Sequence, residues 1–168
     1  LPVIALESLE DKYPPQQYSL SLCIGYSKMN SLRERLFHIC LDKGYEIENF
    51  IHSTVKLEED TKLGCGNILL KNVLIEPFCE IGDANFFFAG SLISHNARIQ
   101  NYNFFGGNSV LAGFVTVKNN CFVGVNATIK NNIDIPSFVL VGAGTYLSEN
   151  PKEYDVVVPE KSIVLPDK

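Results

Sequence analysis

From Ile51 to Leu147 every sixth residue is a branched aliphatic or a phenylalanine: Ile51, Leu57, Leu63, Leu69, Ile75, Ile81, Phe87, Ile93, Ile99, Phe105, Leu111, Val117, Val123, Ile129, Ile135, Val141 and Leu147. The chain is 46% hydrophobic, so an unbroken run of this length arises by chance roughly once in a hundred thousand, even allowing for the choice of frame. The position four residues later holds small or β-branched side chains almost throughout, among them Val73, Cys79, Ser91, Ala97, Ser109, Ala127 and Thr145. A period of six is too long for a lone strand and wrong for a helix. It suits a coil of three short strands in which each corner repeats the same inward residue, a hexapeptide-repeat parallel β-helix. Residues eighteen apart then stack about 4.8 Å apart, the spacing of neighbouring strands. The repeat predicts a little over five coils with the first-position residues inside. Gly64, Gly82, Gly106, Gly124 and Gly142 recur at the second position, where the corner is expected to need unusual backbone angles.

Bulk properties narrow the function. The 168 residues carry a net charge of −5 and no Lys/Arg cluster, which disfavours nucleic acid and anionic membrane surfaces as partners. Cys23, Cys40, Cys65, Cys79 and Cys121 are widely spaced, with no CxxC. They read as free thiols in a reducing cytoplasm rather than as a disulfide framework or a zinc site. No apolar run is long enough to span a bilayer and no signal peptide is visible, so membrane insertion is not expected.

Ahead of the repeat, LSLCIGY (20–26) reads as a buried strand and Tyr45 to Ile51 as a second one. Between them Ser31 and Glu34 make a capping-box pattern. Leu32, Leu36, Phe37, Cys40 and Leu41 form an apolar stripe, and Lys43-Gly44 stops the helix. Residues 1–50 are therefore a partial α/β lobe, either a cap over the open end of the coil or a ligand-binding lobe. Residues 51–149 are the β-helix. Residues 150–168 are a tail expected to leave the coil at Asn150-Pro151, with the DVVV and SIVL stretches packing along the rod or on a neighbour.

Because no loop interrupts the repeat, function must sit on side chains projecting from its faces. His95 is the third residue of its hexapeptide and should point outward near a corner, either as a functional group or as an ordinary surface histidine. Its column holds Pro77, Gly113 and Asn131, so a glycine amide stacks beside it. His38 falls on the helix and His52 at the start of the coil, and the three histidines do not share a face on which to bind a metal.

From Gly25 onward the chain resembles the sugar acetyltransferases of the sialic acid O-acetyltransferase and bacillosamine N-acetyltransferase type. The likeness lies in IGYSKMNSLRERLF, in IHSTV where the β-helix begins, and in LISHNARIQNYNFFGGNSVLAGFVTV, with His95 eighteen residues before Gly113 of LAG. The resemblance implies a left-handed coil, whereas general chirality rules favour right-handed crossovers. It also implies a homotrimer with acetyl-CoA held between subunits and no metal. His95 would be the general base, Gly113 would offer its amide to the thioester, and Val125 and Ala143 would touch the pantetheine arm from the adjacent subunit. Three departures accompany it. Asn96 stands where the family usually has an acidic residue, Phe104 replaces a second histidine, and the family's first strand and Gly-rich turn have no counterpart here. No substrate-binding residue is assigned. The reading is a cytoplasmic acetyl-CoA-dependent N-acetyltransferase acting on a nucleotide-linked amino sugar for surface glycan synthesis. A sugar or sialic acid O-acetyltransferase and a non-catalytic β-helical scaffold are the alternatives.

Overall fold

A computed structural model describes residues 2–58 and 60–161. The repeat forms a β-solenoid whose two-residue strands stack in three parallel sheets of seven, five and five strands. Sheet 1 contains Phe50–Ile51, Ile68–Leu69, Phe86–Phe87, Phe104–Phe105, Phe122–Val123, Leu140–Val141 and Val156–Val157. Sheet 2 runs from Leu74–Ile75 to Tyr146–Leu147, and sheet 3 from Lys62–Leu63 to Asp134–Ile135. Between consecutive regular coils the register is eighteen residues, as in Phe86↔Phe104 and Val110↔Thr128. First-position residues from Leu69 to Leu147 are buried, as are the fifth positions from Asn67 to Thr145.

The ends and corners depart from the sequence reading. Ile51 and Leu57 are 39% and 38% exposed, because the first coil has no sheet-2 strand and no coil before it to cover them. The unusual backbone falls at the fourth position, not the second. Gly66, Gly90 and Gly144 have φ of +69°, +76° and +69°, and asparagines 72, 96, 108, 120, 126 and 132 share that region, which asparagine tolerates better than most residues. The second-position glycines answer a different constraint, close approach of the next coil. A Cβ on Gly124 would lie 2.5 Å from Ala143 N, and one on Gly106 2.6 Å from Val125 N. The tail also stays on the rod, since Val156–Val157 pairs parallel with Leu140–Val141 at a register of sixteen. Proline ends the regular repeat without ending the pairing. The SIVL stretch lies outside the described residues.

The segment before the repeat docks on the flank of the coil and does not cap its end. Of the two strands expected there, 20–26 forms only the bridge Leu20↔Ile47 among the described residues, and the second is a strand only at its end, Phe50–Ile51. After the short helix α1 (Leu9–Lys12), the helix α2 (Ser31–Asp42) is present, but Asn30 is its N-cap in left-handed conformation with no side-chain cap bond. The capping box is replaced by outward contacts. Ser31 Oγ donates to Lys28 O, and Glu34 accepts from Asn120 Nδ2. Phe37 and Cys40 bury the apolar stripe, whereas Leu41 remains exposed. Arg33 is wholly buried against the corner between sheets 3 and 1. There its guanidinium donates to the carbonyls of Ala84, Tyr102 and Asn103. Burial lowers its pKa to about 10, so it stays charged at neutral pH. The same corner carries a ladder of Asn67, Asn85 and Asn103, each Oδ1 accepting a backbone N–H from the next coil at 2.8–2.9 Å.

Candidate active site

Ile93 and Ala97 are locked in the core, and His95, midway between them at the corner joining sheets 2 and 3, projects outward and is exposed. Its backbone is clamped on both sides. Asn96 N–H donates to Pro77 O at 3.2 Å and Phe114 N–H donates to His95 O at 3.1 Å. The His95 backbone N–H donates to a Glu76 carboxylate oxygen at 2.9 Å, which ties this corner to the coil before it. The ring nitrogen Nδ1 lies 3.0 Å from Asn96 Oδ1. An amide oxygen only accepts, so Nδ1 donates here, and in the neutral ring it is Nε2 that carries the lone pair. Asn96 thus orients the ring without adding charge to it.

The expected neighbour is in place. A Cβ built on Gly113 would lie 2.8 Å from His95 Nε2 and 2.7 Å from Cε1, so the imidazole fills the space that any side chain at 113 would take. Among the described residues the Gly113 N–H has no acceptor. At the equivalent repeat position on the sheet 3–sheet 1 corner, the N–H groups of Cys65, Asp83 and Asn101 are taken by the side chains of Asp83, Asn101 and Asn119. The site therefore presents an imidazole nitrogen beside a free backbone donor. Phe114 stands edge-on to the imidazole, with centroids 5.2 Å apart. Next to it opens a pocket of about 380 Å³ lined by Phe78, Glu80, Asn96, Arg98, Phe114 and Thr116.

No family model and no curated protein matches the sequence; solved structures do. A histidine-to-alanine variant of GDP-perosamine N-acetyltransferase from Caulobacter crescentus, in complex with CoA and GDP-perosamine, superposes with a TM-score of 0.87 at 25% identity. The match covers 92% of this chain and 72% of that one. A second structure of the perosamine enzyme from that organism, also with CoA and GDP-perosamine, gives 0.82 at 28% identity over 91% and 72%. The acetyltransferase domain of PglB from Neisseria gonorrhoeae, in complex with acetyl coenzyme A, gives 0.82 at 17% over 89% and 72% and supports the fold alone. The chain has the architecture of the hexapeptide-repeat sugar acetyltransferases. It is an acetyltransferase, and the resemblance read from SHNARI and LAG is borne out at the level of fold and activity.

The remaining expected site residues of this acetyltransferase are placed elsewhere. Val125 and Ala143 are exposed at the corner joining sheets 1 and 2, away from His95 and Gly113 within one chain. Phe104 lies on sheet 1, buried between Phe86 and Phe122 at centroid distances of 5.2 and 5.3 Å, with Tyr26 edge-on. Its role is packing, on a different face from His95. Glu76, Phe78, Arg98 and Phe114 were not singled out from sequence. Their signal was the eighteen-residue column, which sets Phe78 and Phe114 either side of Asn96 and Arg98 above Glu80. The cysteines are free, and burial pushes the Cys121 thiol up to about 11 and raises those of Cys40, Cys65 and Cys79, which makes them poor nucleophiles. His38 Nε2 is 3.0 Å from Tyr102 Oη, and His52 Nδ1 is 3.0 Å from Thr54 Oγ1; both histidines serve local structure. Among the described residues no group of His, Cys, Asp and Glu is arranged to hold a metal ion, and no helix is long and apolar enough to cross a membrane.

Proposed function

We propose that the protein transfers an acetyl group from acetyl-CoA to the amine of a nucleotide-linked sugar, with His95 as general base. The observation that carries this reading is the pairing of His95 Nε2 with the unspent Gly113 N–H across a contact that only glycine permits. In the reaction Nε2 takes a proton from the amine as its nitrogen attacks the thioester carbon. The Gly113 amide donates to the carbonyl oxygen as negative charge gathers there, a contact worth several kcal/mol when preorganised. The C–S bond breaks, the amide forms, and His95 returns the proton to the departing sulfur. The solved neighbours that hold CoA with GDP-perosamine support both substrate classes.

We further propose a homotrimer in which Val125 and Ala143 of one subunit reach the His95 corner of the next. The outward column of sheet 2 supports this. It reads Leu74, Leu92, Val110, Thr128 and Tyr146, with Leu74 and Tyr146 50% and 63% exposed. That of sheet 3 reads Lys62, Glu80, Arg98, Thr116 and Asp134. Sheet 2 joins the two corners that carry the four site residues, so covering it with a second copy brings those corners together. The lobe of residues 1–50 is assigned to the nucleotide-sugar side and the pathway to surface glycan synthesis.

The test is His95→Ala in a thiol-release assay with acetyl-CoA and a panel of UDP-, dTDP-, GDP- and CMP-linked sugars. Turnover should fall roughly a hundredfold or more, with acetyl-CoA binding little changed. Near-normal turnover on the true acceptor would remove His95 from the mechanism. A monomer mass by light scattering at micromolar concentration would count against the shared site.

A further inference from the structure

The fourth position of each hexapeptide is held in the left-handed region, and most of its occupants suit it. Asparagine or glycine fills nine of these corners between Gly66 and Gly144. Four carry a larger hydrophobic or aromatic group instead: Phe78, Tyr102, Phe114 and Phe138, with φ of +60° to +63°. Two of these are explained by packing. Tyr102 is buried against Phe37 and bonded to His38, and Phe138 stacks on Tyr154 at 5.2 Å. Phe78 and Phe114 are 57% and 54% exposed. A bulky residue with positive φ is strained, and such strain persists where something other than folding retains it. Both lie on the sheet 2–sheet 3 corner, one coil before and one coil after His95, about 10 Å apart by strand spacing. They flank Asn96 and wall the 380 Å³ pocket, a size within the range of small-molecule sites, about 300–1,000 Å³.

The floor of that pocket continues along sheet 3 into a trough lined by Lys62, Glu80, Gly82, Arg98, Gln100, Asn101 and Thr116. Glu80 is paired with Lys62 at 2.7 Å. Arg98 makes no ion pair or hydrogen bond among the described residues, so a cation with five donors stands open where the two cavities meet. Apolar walls beside the base, followed by a free guanidinium, match a sugar ring followed by a diphosphate. The C–H faces of a pyranose pack on phenyl rings, and a guanidinium binds phosphate oxygens in pairs.

Building on the proposed acetyl transfer, we propose that Phe78, Phe114 and Arg98 form the acceptor subsite. The two phenylalanines seat the amino sugar at His95, and Arg98 takes the diphosphate of its nucleoside diphosphate. In this arrangement the nucleoside runs along sheet 3.

Phe78→Asn installs the residue most common at this corner. It should leave the melting temperature unchanged or higher while raising the KM for the nucleotide sugar about tenfold or more, with the KM for acetyl-CoA within about twofold. Phe114→Asn should also lower kcat, because Phe114 touches the His95 ring. Arg98→Gln should weaken the nucleotide sugar about ten- to a hundredfold. Calorimetric titration of the full chain with UDP, dTDP and GDP, without acetyl-CoA, separates this subsite from the chemistry. Nucleotide binding that weakens in Arg98→Gln supports the subsite even if no sugar in the panel is acetylated, a result that would defeat the proposed reaction alone. Equal binding by wild type and Arg98→Gln, no binding of any of the three nucleotides, or a rise in acetyl-CoA KM in place of the sugar's would overturn it.

Discussion

Replacing Arg33 with methionine isolates what holds the lobe on the coil. The guanidinium is wholly buried and has no carboxylate partner; it binds oxygen dipoles instead. Its Nε donates to Ala84 O at 2.8 Å, and Nη2 to Tyr102 O, Asn103 O and Asn30 Oδ1 at 2.8, 2.9 and 3.0 Å. Nη1 donates to Ile24 O and Gly25 O at 3.1 and 3.2 Å. Methionine fills similar length with no donor. Asn103 O keeps its bond from Phe86 N–H at 2.8 Å, but Ala84 O and Tyr102 O have no other donor among the described residues. Two buried acceptors left unsatisfied cost about 1–3 kcal/mol each, offset in part because a cation no longer has to be desolvated. A net loss of about 3 kcal/mol follows, which is roughly a hundredfold in the equilibrium for releasing α2. A free twelve-residue helix is marginal in water, so release means unfolding. Native-state hydrogen exchange should show the amides of Phe37 to Leu41 exchanging roughly a hundredfold faster, with those of Val117 and Val123 in the coil little changed. Protection of α2 within about threefold of wild type would refute the bond accounting. Equal loss in helix and coil would show that the two unfold as one unit.

Gly113→Ala places a Cβ within 2.8 Å of His95 Nε2 and must push the imidazole aside; kcat should fall at least about tenfold with the melting temperature nearly unchanged, and unaltered kcat would mean that the ring position is irrelevant. In Asn96→Asp a carboxylate replaces the amide oxygen 3.0 Å from Nδ1 and raises the histidine pKa. Because the base must be unprotonated, the acidic limb of the pH–rate profile should move to higher pH, and an unmoved limb would separate this position from the base. Gly124→Ala drives a Cβ into the Ala143 backbone at 2.5 Å and should cost about 1–3 kcal/mol in denaturant unfolding. Gly144→Asn, with positive φ and open space around it, should cost little, and a reversed ranking would refute this assignment of corners.

The architecture was legible because its cause is local. An inward residue every six positions is written in the chain itself, and so is the column that sets His95 beside Gly113 eighteen residues away. Asparagine at 72, 96, 108, 120, 126 and 132 also marked the left-handed corners, yet the second-position glycines drew the reading to the wrong place. Those glycines are small because the backbone of the next coil presses on them, a contact with no trace in the residues on either side. The burial of Arg33 was not read from sequence, since its carbonyl partners on the coil lie 51 to 70 residues away. The same distance in sequence hid the flank as the docking place of the lobe. The meaning of Phe78 and Phe114 emerged only when backbone angle and exposure were known together, because neither quantity belongs to a phenylalanine until the surrounding coil imposes it.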